Sequence, residues 1–288
     1  MKKGLKVVSL FDGISCGRVA LERANIPVAE YYASEIKPDA LKVTMSNYPD
    51  TIQLGDVRNI DFAKVVGGCD LLIGGSPCQD LSHAHSERLG LQGAKSSLFW
   101  EYVRALKELK PKYFLLENVE MPPADYETIS KAVGTYPVNI NSELVSAQMR
   151  NRFYWTNIGE KNYNLFGFPT CAIPQPKDKK IYLQDILTSG YADRLKAHCI
   201  KESESRPYLN KVKMLRRYET TGMFTLVFED LNDRLSCRHL NQTELERLQT
   251  LPEGYTKVLN RNHAAGVIGD GWTVDVITHI FNFMEVVA

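Results

Sequence analysis

The residue best suited to covalent chemistry is Cys78, in the stretch GGSPCQDLS at 74–82. It follows an apolar run at 69–73 that is typical of a strand, and two glycines and Pro77 come before it. A strand end places a side chain rigidly, glycines let another molecule approach closely, and a proline stiffens the turn. A buried structural cysteine needs none of these features, so the pattern predicts a nucleophile. An ordinary thiol has a pKa of about 8.5 and needs help to react.

Charged residues at the ends of other segments are the natural helpers. Glu117 closes an apolar run in LLENV, where an acid can protonate a ring nitrogen and make the neighbouring carbon electrophilic. Arg150 and Arg152, in QMRNR at 148–152, are fixed cations suited to holding a carbonyl or phosphate oxygen. Two alternatives stay open: a helix cap or buried partner for Glu117, and a surface salt bridge for either arginine.

An alternation of strand and helix signals positions these residues over the first 158 positions. The strand signals lie at 5–11, 29–35, 70–75, 112–119 and 149–158, and the helix signals at 18–23, 37–48 and 96–109. Such alternation predicts an α/β fold of parallel βαβ units, with the sheet covered on both faces. Ligands of these sheets bind beyond the carboxyl ends of the strands.

Three features at those ends suit a nucleotide-type cofactor. SLFDGISCG at 9–17 is a strand followed by a glycine-containing turn, although it is not GxGxxG. Glu35 at the next strand end suits a ribose diol, because a carboxylate accepts from two hydroxyls. Asp56 in LGDV offers an acceptor for an adenine amino group. Taken singly, each is open to the alternative of an ordinary turn or surface carboxylate.

The composition limits the class of protein. The chain has 288 residues, 44% hydrophobic and 24% charged, which is ordinary for a globular protein. We interpret the N-terminus as a first strand rather than a signal peptide, and no segment reaches the roughly 18 apolar residues of a membrane span. Six cysteines without a CxxC pair argue against zinc or disulfide frameworks, so no metal and a cytoplasmic location are expected.

The chain changes character from about residue 160. Three prolines within 167–180 indicate a connector, and 194–217 holds eight basic against two acidic side chains although the whole chain carries only +1. A solvated helix face and a phosphate-tracking surface are both open for that basic stretch. Further on, 238–249 predicts a short amphipathic helix, and 274–284 an apolar helix or strand that returns to the core.

These motifs together resemble those of the DNA cytosine-5 methyltransferase family. They occur in that family's order over residues 9 to 277, nearly the whole chain: SLFDGISCG, SEIKPDA, GDV, GGSPCQDLS, ENV, QMRNR, RHLNQTELERLQTLP and GDGWTVDVI. The combination of Pro-Cys, Glu-Asn-Val and Gln-x-Arg-x-Arg is highly specific. The wording of GGSPCQDLS and the ending with Trp272 are most similar to the vertebrate de novo methyltransferases and their bacterial or phage relatives.

The resemblance implies a Rossmann-like S-adenosylmethionine-dependent methyltransferase with a mostly parallel sheet and a smaller inserted target-recognition domain. The implied domains are a catalytic and cofactor-binding domain at 1–159, a target-recognition domain at 160–262, and a return segment at 263–288 beside the first strand. The implied S-adenosylmethionine site consists of Phe11, Asp12, Gly13, Ile14, Ser15, Glu35, Ile36, Asp56, Val57, Pro77, Leu98, Asp270, Gly271 and Trp272. The family usually has Asn where this chain has Asp270, and a carboxylate there is expected to weaken binding of a carboxylate-bearing cofactor.

The implied reaction is methylation of cytosine C5 in double-stranded DNA. Cys78 would attack C6 while Glu117 protonates N3, and C5 would then take the methyl group before β-elimination releases the cysteine. Arg152 would hold O2 of the base and Arg150 would support the loop or backbone. A paired base cannot reach the thiolate, so it must flip out, and residues 80–97 are the expected mobile loop that closes over it. The residues expected to contact DNA are Gln79, Ser82, Arg88, Lys211, Lys213, Arg216 and Arg217.

Alternatives to this function have distinct sequence features. A tRNA cytosine-5 methyltransferase would carry a Cys-Phe-Thr element, which is missing, and a nicotinamide oxidoreductase would want GxGxxG. A non-catalytic paralogue would be expected to lose Cys78 or the cofactor turn. We expect a bacterial or phage-encoded monomer, with an oligomer left open. The target sequence is not determined by any residue, although the resemblance favours CpG.

Overall fold

The computed structural model describes residues 4–65, 67–77, 98–230 and 232–285. The predicted nucleophile Cys78 and the predicted DNA contacts Gln79, Ser82 and Arg88 lie outside these ranges, as does the whole of the expected mobile loop at 80–97.

A seven-stranded sheet with the order β3-β2-β1-β4-β5-β7-β6 is the centre of the molecule. Its strands are β1 (Leu5–Leu10), β2 (Val28–Ser34), β3 (Ile52–Gln53), β4 (Leu71–Gly75), β5 (Tyr113–Asn118), β6 (Val138–Asn141) and β7 (Asn151–Thr156). The pairs from β3 through β5 are parallel, whereas β7 is antiparallel to both β5 and β6. The mostly parallel α/β sheet predicted from the sequence is confirmed.

Helices cover both faces of this sheet. They are α1 (Cys16–Arg23), α2 (Pro38–Asn47), α3 (Phe62–Val65), α4 (Phe99–Leu109), α5 (Pro123–Val133), α6 (Leu183–Ile186), α7 (Lys211–Thr221), α8 (Gln242–Leu248), α9 (Arg261–Asp270) and α10 (Val274–Phe281). None of the helices in the described ranges is long and apolar enough to cross a membrane.

Alternating strand residues divide the core into two layers. Val7 faces a first core cluster with α1, α9 and α10, whereas Val8 faces a second core cluster with α4 and α5. Successive side chains of a strand point to opposite faces, so a nearly continuous apolar strand serves both layers.

A third, small core cluster lies in the later part of the chain. It joins α7 to the two-stranded sheet of β10 (Leu226–Phe228) and β11 (Cys237–His239). Residues on either side of it pack elsewhere: Leu183 and Ile200 before it, and Leu245 and Leu251 after it, belong to the first core cluster. The domain boundaries at 159/160 and 262/263 stay predictions.

Several local expectations need correction. The 274–284 segment, for which a helix and a strand were both open, forms helix α10 (Val274–Phe281), and α10 packs against α1. Arg238 lies on β11, so the helix expected from 238 begins only at Gln242. Part of the proline-containing connector is a strand, because β9 (Pro169–Cys171) pairs with β8 (Lys161–Tyr163). Neither α5 nor β6 was predicted.

Candidate active site

The strands β2, β1, β4 and β5 run parallel, so their carboxyl ends lie at one edge of the sheet, and the strand order reverses between β1 and β4. Gly75 at the end of β4 pairs with Glu117 on β5, and Glu117 pairs with Tyr154 on β7. A reversal of strand order leaves a crevice in which ligands of α/β sheets bind. Glu117 therefore lies beside the strand that leads to Pro77.

Glu117 is held at both carboxylate oxygens. Arg152 Nε forms an ion pair with Oε1 at 2.9 Å, and the indole Nε1–H of Trp272 donates to Oε2 at 3.1 Å. The side chains of Glu117 and Arg152 are 11% and 15% exposed, so the pair is only slightly open to solvent. The tertiary structure thus brings together three residues predicted as an acid, a base-holding cation and a cofactor contact.

Arg150 is buried and bonds to backbone rather than to an acid among the described residues. Its guanidinium donates to Ile200 O at 3.0 Å, to Gly269 O at 3.3 Å and to Gly271 O at 2.9 Å. It therefore ties the end of α9 to the segment that contains Ile200. The support role expected for Arg150 stays a prediction.

Cys199 is a residue of the site that the sequence reasoning missed. Its Sγ lies 3.2 Å from Arg150 Nη1 and 3.7 Å from Arg152 Nη2. Burial acts to raise the pKa of the Cys199 thiol, but the two guanidinium groups outweigh it, so the pKa lies below its usual value. No motif around AHCIK signalled this contact, because it depends on chain segments about fifty residues apart.

Polar side chains hold the turn after β1, including Tyr31 from β2. Phe11, Gly13 and Ser15 have positive φ angles of 56°, 59° and 58°. Asp12 accepts from Tyr31 Oη at 2.8 Å and from the Ser15 hydroxyl, and burial raises the pKa of Asp12 to about 6. Ile14 is fully buried in the first core cluster.

The predicted ribose and adenine contacts follow β2 and β3. Glu35 accepts from the backbone N–H of Gly13 at 2.8 Å and from that of Ile36 at 2.7 Å, while the Ile36 side chain is 64% exposed. Asp56 is bonded by the Arg58 guanidinium, which holds the pKa of Asp56 down at about 2. Val57, next to it, is buried.

The approach to Pro77 is fixed by another residue that was not predicted as part of the site. Buried Asn118 donates to Ser76 Oγ at 3.0 Å, across from β5 to the segment that follows β4. Pro77 itself is half-buried, and Leu98 packs against the second core cluster.

The GDGW segment ends α9 instead of forming a separate turn. Asp270 is the last residue of the helix and forms an ion pair with Lys37 Nζ at 2.6 Å. Gly271 O accepts from Arg150 at 2.9 Å and from Gln249 Nε2 at 3.0 Å, so two buried donors fix the residue before Trp272.

Comparisons with known proteins identify the family of this chain. The profile of the C-5 cytosine-specific DNA methylases matches residues 5–131. The Type II methyltransferase M1.ScrFI of Lactococcus lactis subsp. cremoris is 32% identical over 94% of this chain and 76% of its own length. The chain belongs to the C-5 cytosine-specific DNA methylase family.

Another relative is longer than this chain, and solved structures of low sequence identity share the fold. The Type II methyltransferase M.NlaIV of Neisseria lactamica is 40% identical over 89% of this chain, which spans 60% of that relative's length. The structure of Spodoptera frugiperda DNMT2 superposes with a TM-score of 0.67 at 14% identity, covering 97% of this chain and 99% of that one. At that identity the likeness concerns the fold alone.

The basic side chains of 194–217 differ in their surroundings, because some are bonded to other protein groups and others are exposed. Arg194 donates to Tyr218 Oη at 2.6 Å, Lys196 Nζ bonds three backbone carbonyls within 3.0 Å, and Arg206 pairs with Glu202 at 2.8 Å. On α7, by contrast, four basic side chains are exposed and pair with no acid of the described residues: Lys211, Lys213, Arg216 and Arg217.

No group of three or more potential metal ligands occurs in the ranges that the structure describes.

Proposed function

We propose that the protein is a DNA (cytosine-5-)-methyltransferase that moves a methyl group from S-adenosylmethionine to C5 of a flipped cytosine in duplex DNA. The observation that carries this proposal is the Glu117 carboxylate, held by Arg152 and Trp272 beside the strand that leads to Cys78. Family membership supports the reaction class, and the bacterial and phage relatives favour the cytoplasm of a bacterial cell.

S-adenosylmethionine fits the chemistry of the residues at the edge of the sheet. The backbone N–H groups of Gly13, Ile36 and Lys37 donate to Glu35, which leaves about one of its four acceptor positions for a ribose hydroxyl. The exposed Ile36 offers an apolar surface for the adenine beside it. At Gly13 no atom lies within 4 Å of the position of a Cβ, so the backbone there is open to a ligand. When bound, this cofactor supplies an electrophilic methyl group on a sulfonium.

Glu117 is equipped to recognise the Watson–Crick edge of cytosine. A carboxyl group has about four acceptor positions, and Arg152 and Trp272 take one on each oxygen. One position per oxygen is left, so a protonated Glu117 can donate to N3 while its other oxygen accepts from the exocyclic amine. Thymine and uracil present the opposite pattern at these two atoms, which disfavours them.

Cys78 is the proposed nucleophile, on the sequence argument, since it lies outside the described residues. Addition of its thiolate to C6, with a proton from Glu117 to N3, makes C5 nucleophilic. After C5 has taken the methyl group, loss of the C5 proton to solvent expels the thiolate, and N3 returns its proton to Glu117, which restores the aromatic ring. Asn118 holds Ser76, two residues before Cys78 in the sequence.

The exposed cations of α7 support the assignment of 160–262 to target recognition. Lys211, Lys213, Arg216 and Arg217 share a short helix and pair with no acid of the described ranges, so their charge is available to DNA phosphates. A few side chains of the same segment would read base edges.

The test is methyl transfer from labelled S-adenosylmethionine to duplex DNA and to tRNA in parallel. We expect label in DNA only, and duplex DNA with 5-fluorocytosine should trap a covalent adduct because fluorine cannot leave as a proton does. Cys78→Ser should abolish both results while the protein stays folded. Label in tRNA alone, or no adduct with an enzyme that methylates ordinary DNA, would overturn the proposal.

A further inference from the structure

We infer that Trp272 is a positioning residue for Glu117, acting through its indole N–H, in addition to any contact with the cofactor. This inference rests on the proposed function. The contact itself is Trp272 Nε1 to Glu117 Oε2 at 3.1 Å, and it joins residues 155 positions apart in the chain.

The bond constrains which part of Glu117 is left for the base. The indole N–H of Trp272 donates to Oε2, and the Arg152 guanidinium forms an ion pair with Oε1. Two partners on different oxygens constrain the plane of the carboxyl group. Without Trp272, only the Arg152 bond would remain of these two, and the carboxyl group would rotate about it.

Trp272 is itself held rigidly. The preceding carbonyl, Gly271 O, accepts from Arg150 and Gln249, and the following hydroxyl, Thr273 Oγ1, donates to Gln249 Oε1 at 2.8 Å. Arg150 and Gln249 are buried, so these donors have few other conformations available. The indole is thereby placed by backbone on both sides of it.

The end of β4 leaves room for this contact. A Cβ at Gly75 would lie 2.8 Å from Trp272 Nε1 and 2.9 Å from Glu117 Oε2, closer than real Cβ atoms approach. Any larger residue at 75 would force the donor and the acceptor apart. The second glycine of GGSPC is thus explained by the Trp272–Glu117 bond, without any need for another molecule to approach it.

A change at Trp272 can affect two steps, the binding of the cofactor and the attack of the thiolate on C6. Loss of a contact with the cofactor raises the KM for S-adenosylmethionine, and this effect disappears at saturating cofactor. Loss of the bond to Glu117 slows the attack on C6 and lowers kcat at every cofactor concentration. Release of tritium from C5 without cofactor reports the same attack, because C5 then exchanges its hydrogen with water.

The experiment compares kcat, the KM for cofactor and tritium release in the full chain. Trp272→Phe removes the N–H and part of the ring, and β-(3-benzothienyl)alanine placed only at 272 keeps the bulk but replaces N–H by sulfur. Replacement at 272 alone matters, because Trp155 Nε1 also donates, to Ser130 Oγ at 2.9 Å. Trp100→Phe, at an indole that is 44% exposed, is the matched control.

We expect both Trp272 variants to lower kcat by about ten- to a hundred-fold at saturating cofactor, as for loss of a hydrogen bond to a charged group. Tritium release should fall in parallel, and Trp100→Phe should match the wild type. A benzothienyl variant with wild-type kcat, or a Trp272→Phe defect that saturating cofactor abolishes, overturns the inference. A wild-type enzyme that transfers no methyl group to DNA overturns the proposed function instead.

Discussion

At the scale of single residues, Asp270 has a partner that its sequence context does not reveal. A carboxylate at this position was expected to weaken cofactor binding by repulsion. Lys37 Nζ lies 2.6 Å from it and balances the charge, and the two side chains, Lys37 and Asp270, are 53% and 35% exposed. Solvent therefore screens the pair, and the repulsion expected from Asp270 alone is reduced.

This pairing predicts a specific order of cofactor affinities. Asp270→Asn should change the Kd for S-adenosylmethionine by less than about threefold, since an exposed pair contributes about 0–1 kcal/mol. Lys37→Met leaves Asp270 unbalanced and should weaken binding more, and the double variant should recover. Calorimetric titration measures all three. A gain of tenfold or more in Asp270→Asn would show that repulsion persists in spite of Lys37.

At the scale of elements, α7 turns a basic stretch into a surface with one charged face. Met214 and Tyr218 bury one side of the helix in the third core cluster, which leaves Lys213, Arg216 and Arg217 on the exposed side. Cations elsewhere in 194–217, such as Arg194 and Lys196, are engaged with protein groups. The two alternatives for the basic stretch, a solvated face and a phosphate-binding surface, therefore concern only the exposed cations of α7.

We predict that Lys213→Ala and Arg216→Ala each weaken DNA binding at every sequence. Each should also lower the slope of log affinity against log salt by about one, because one counterion fewer is released. Lys131→Ala, with the same loss of charge on an exposed position of α5, is the control and should change neither quantity. Fluorescence anisotropy over a salt series measures both. Unchanged slopes in the α7 variants would leave the helix as a solvated face.

At the scale of the whole molecule, the later half of the chain is divided between two cores. Leu183, Ile186, Ala197 and Ile200 pack in the first core cluster with the sheet's own helices. Backbone bonds also join Ala197 to Ala147 at 2.7 Å and to Met149 at 2.9 Å. The third core cluster, from Met214 to Cys237, is separate, except that Val227 within this range packs in the first core cluster. An exchange of the recognition segment with a relative should therefore leave the residues of the first core cluster unchanged.

We predict different outcomes for two exchanges with a relative's segment. Replacing 206–237 while keeping Val227 exchanges the third core cluster and leaves the first core cluster unchanged. It should change the methylated sequence while keeping a cooperative unfolding transition. Replacing 180–237 also changes apolar residues of the first core cluster, and should cost at least about 2–4 kcal/mol of stability. Urea unfolding and sequencing of methylated DNA test this. An unchanged sequence preference in a folded 206–237 chimera would place recognition elsewhere.

The sequence by itself determined the elements and the kind of chemistry. Strand and helix periodicity are local properties of side-chain spacing, so β1, β2, β4, β5, α2 and α4 were each located to within a few residues. The ordered motifs likewise determined the family, because Pro77-Cys78, Glu117 and Arg152 each sit in a short segment of specific wording. The short β6 and α5 escaped, since their weak patterns depend on neighbouring strands for burial.

Only the tertiary structure decided which of these residues meet. The sequence did not reveal the antiparallel direction of β7 or the choice of a helix for α10. It also did not reveal three pairings: Glu117 with Trp272, Asp270 with Lys37, and Cys199 with two arginines. Each pairing joins segments that lie far apart in the chain, and no local spacing encodes such a contact. Hydrogen bonds and close packing select these partners once the sheet has formed, because a buried carboxylate or guanidinium must find one.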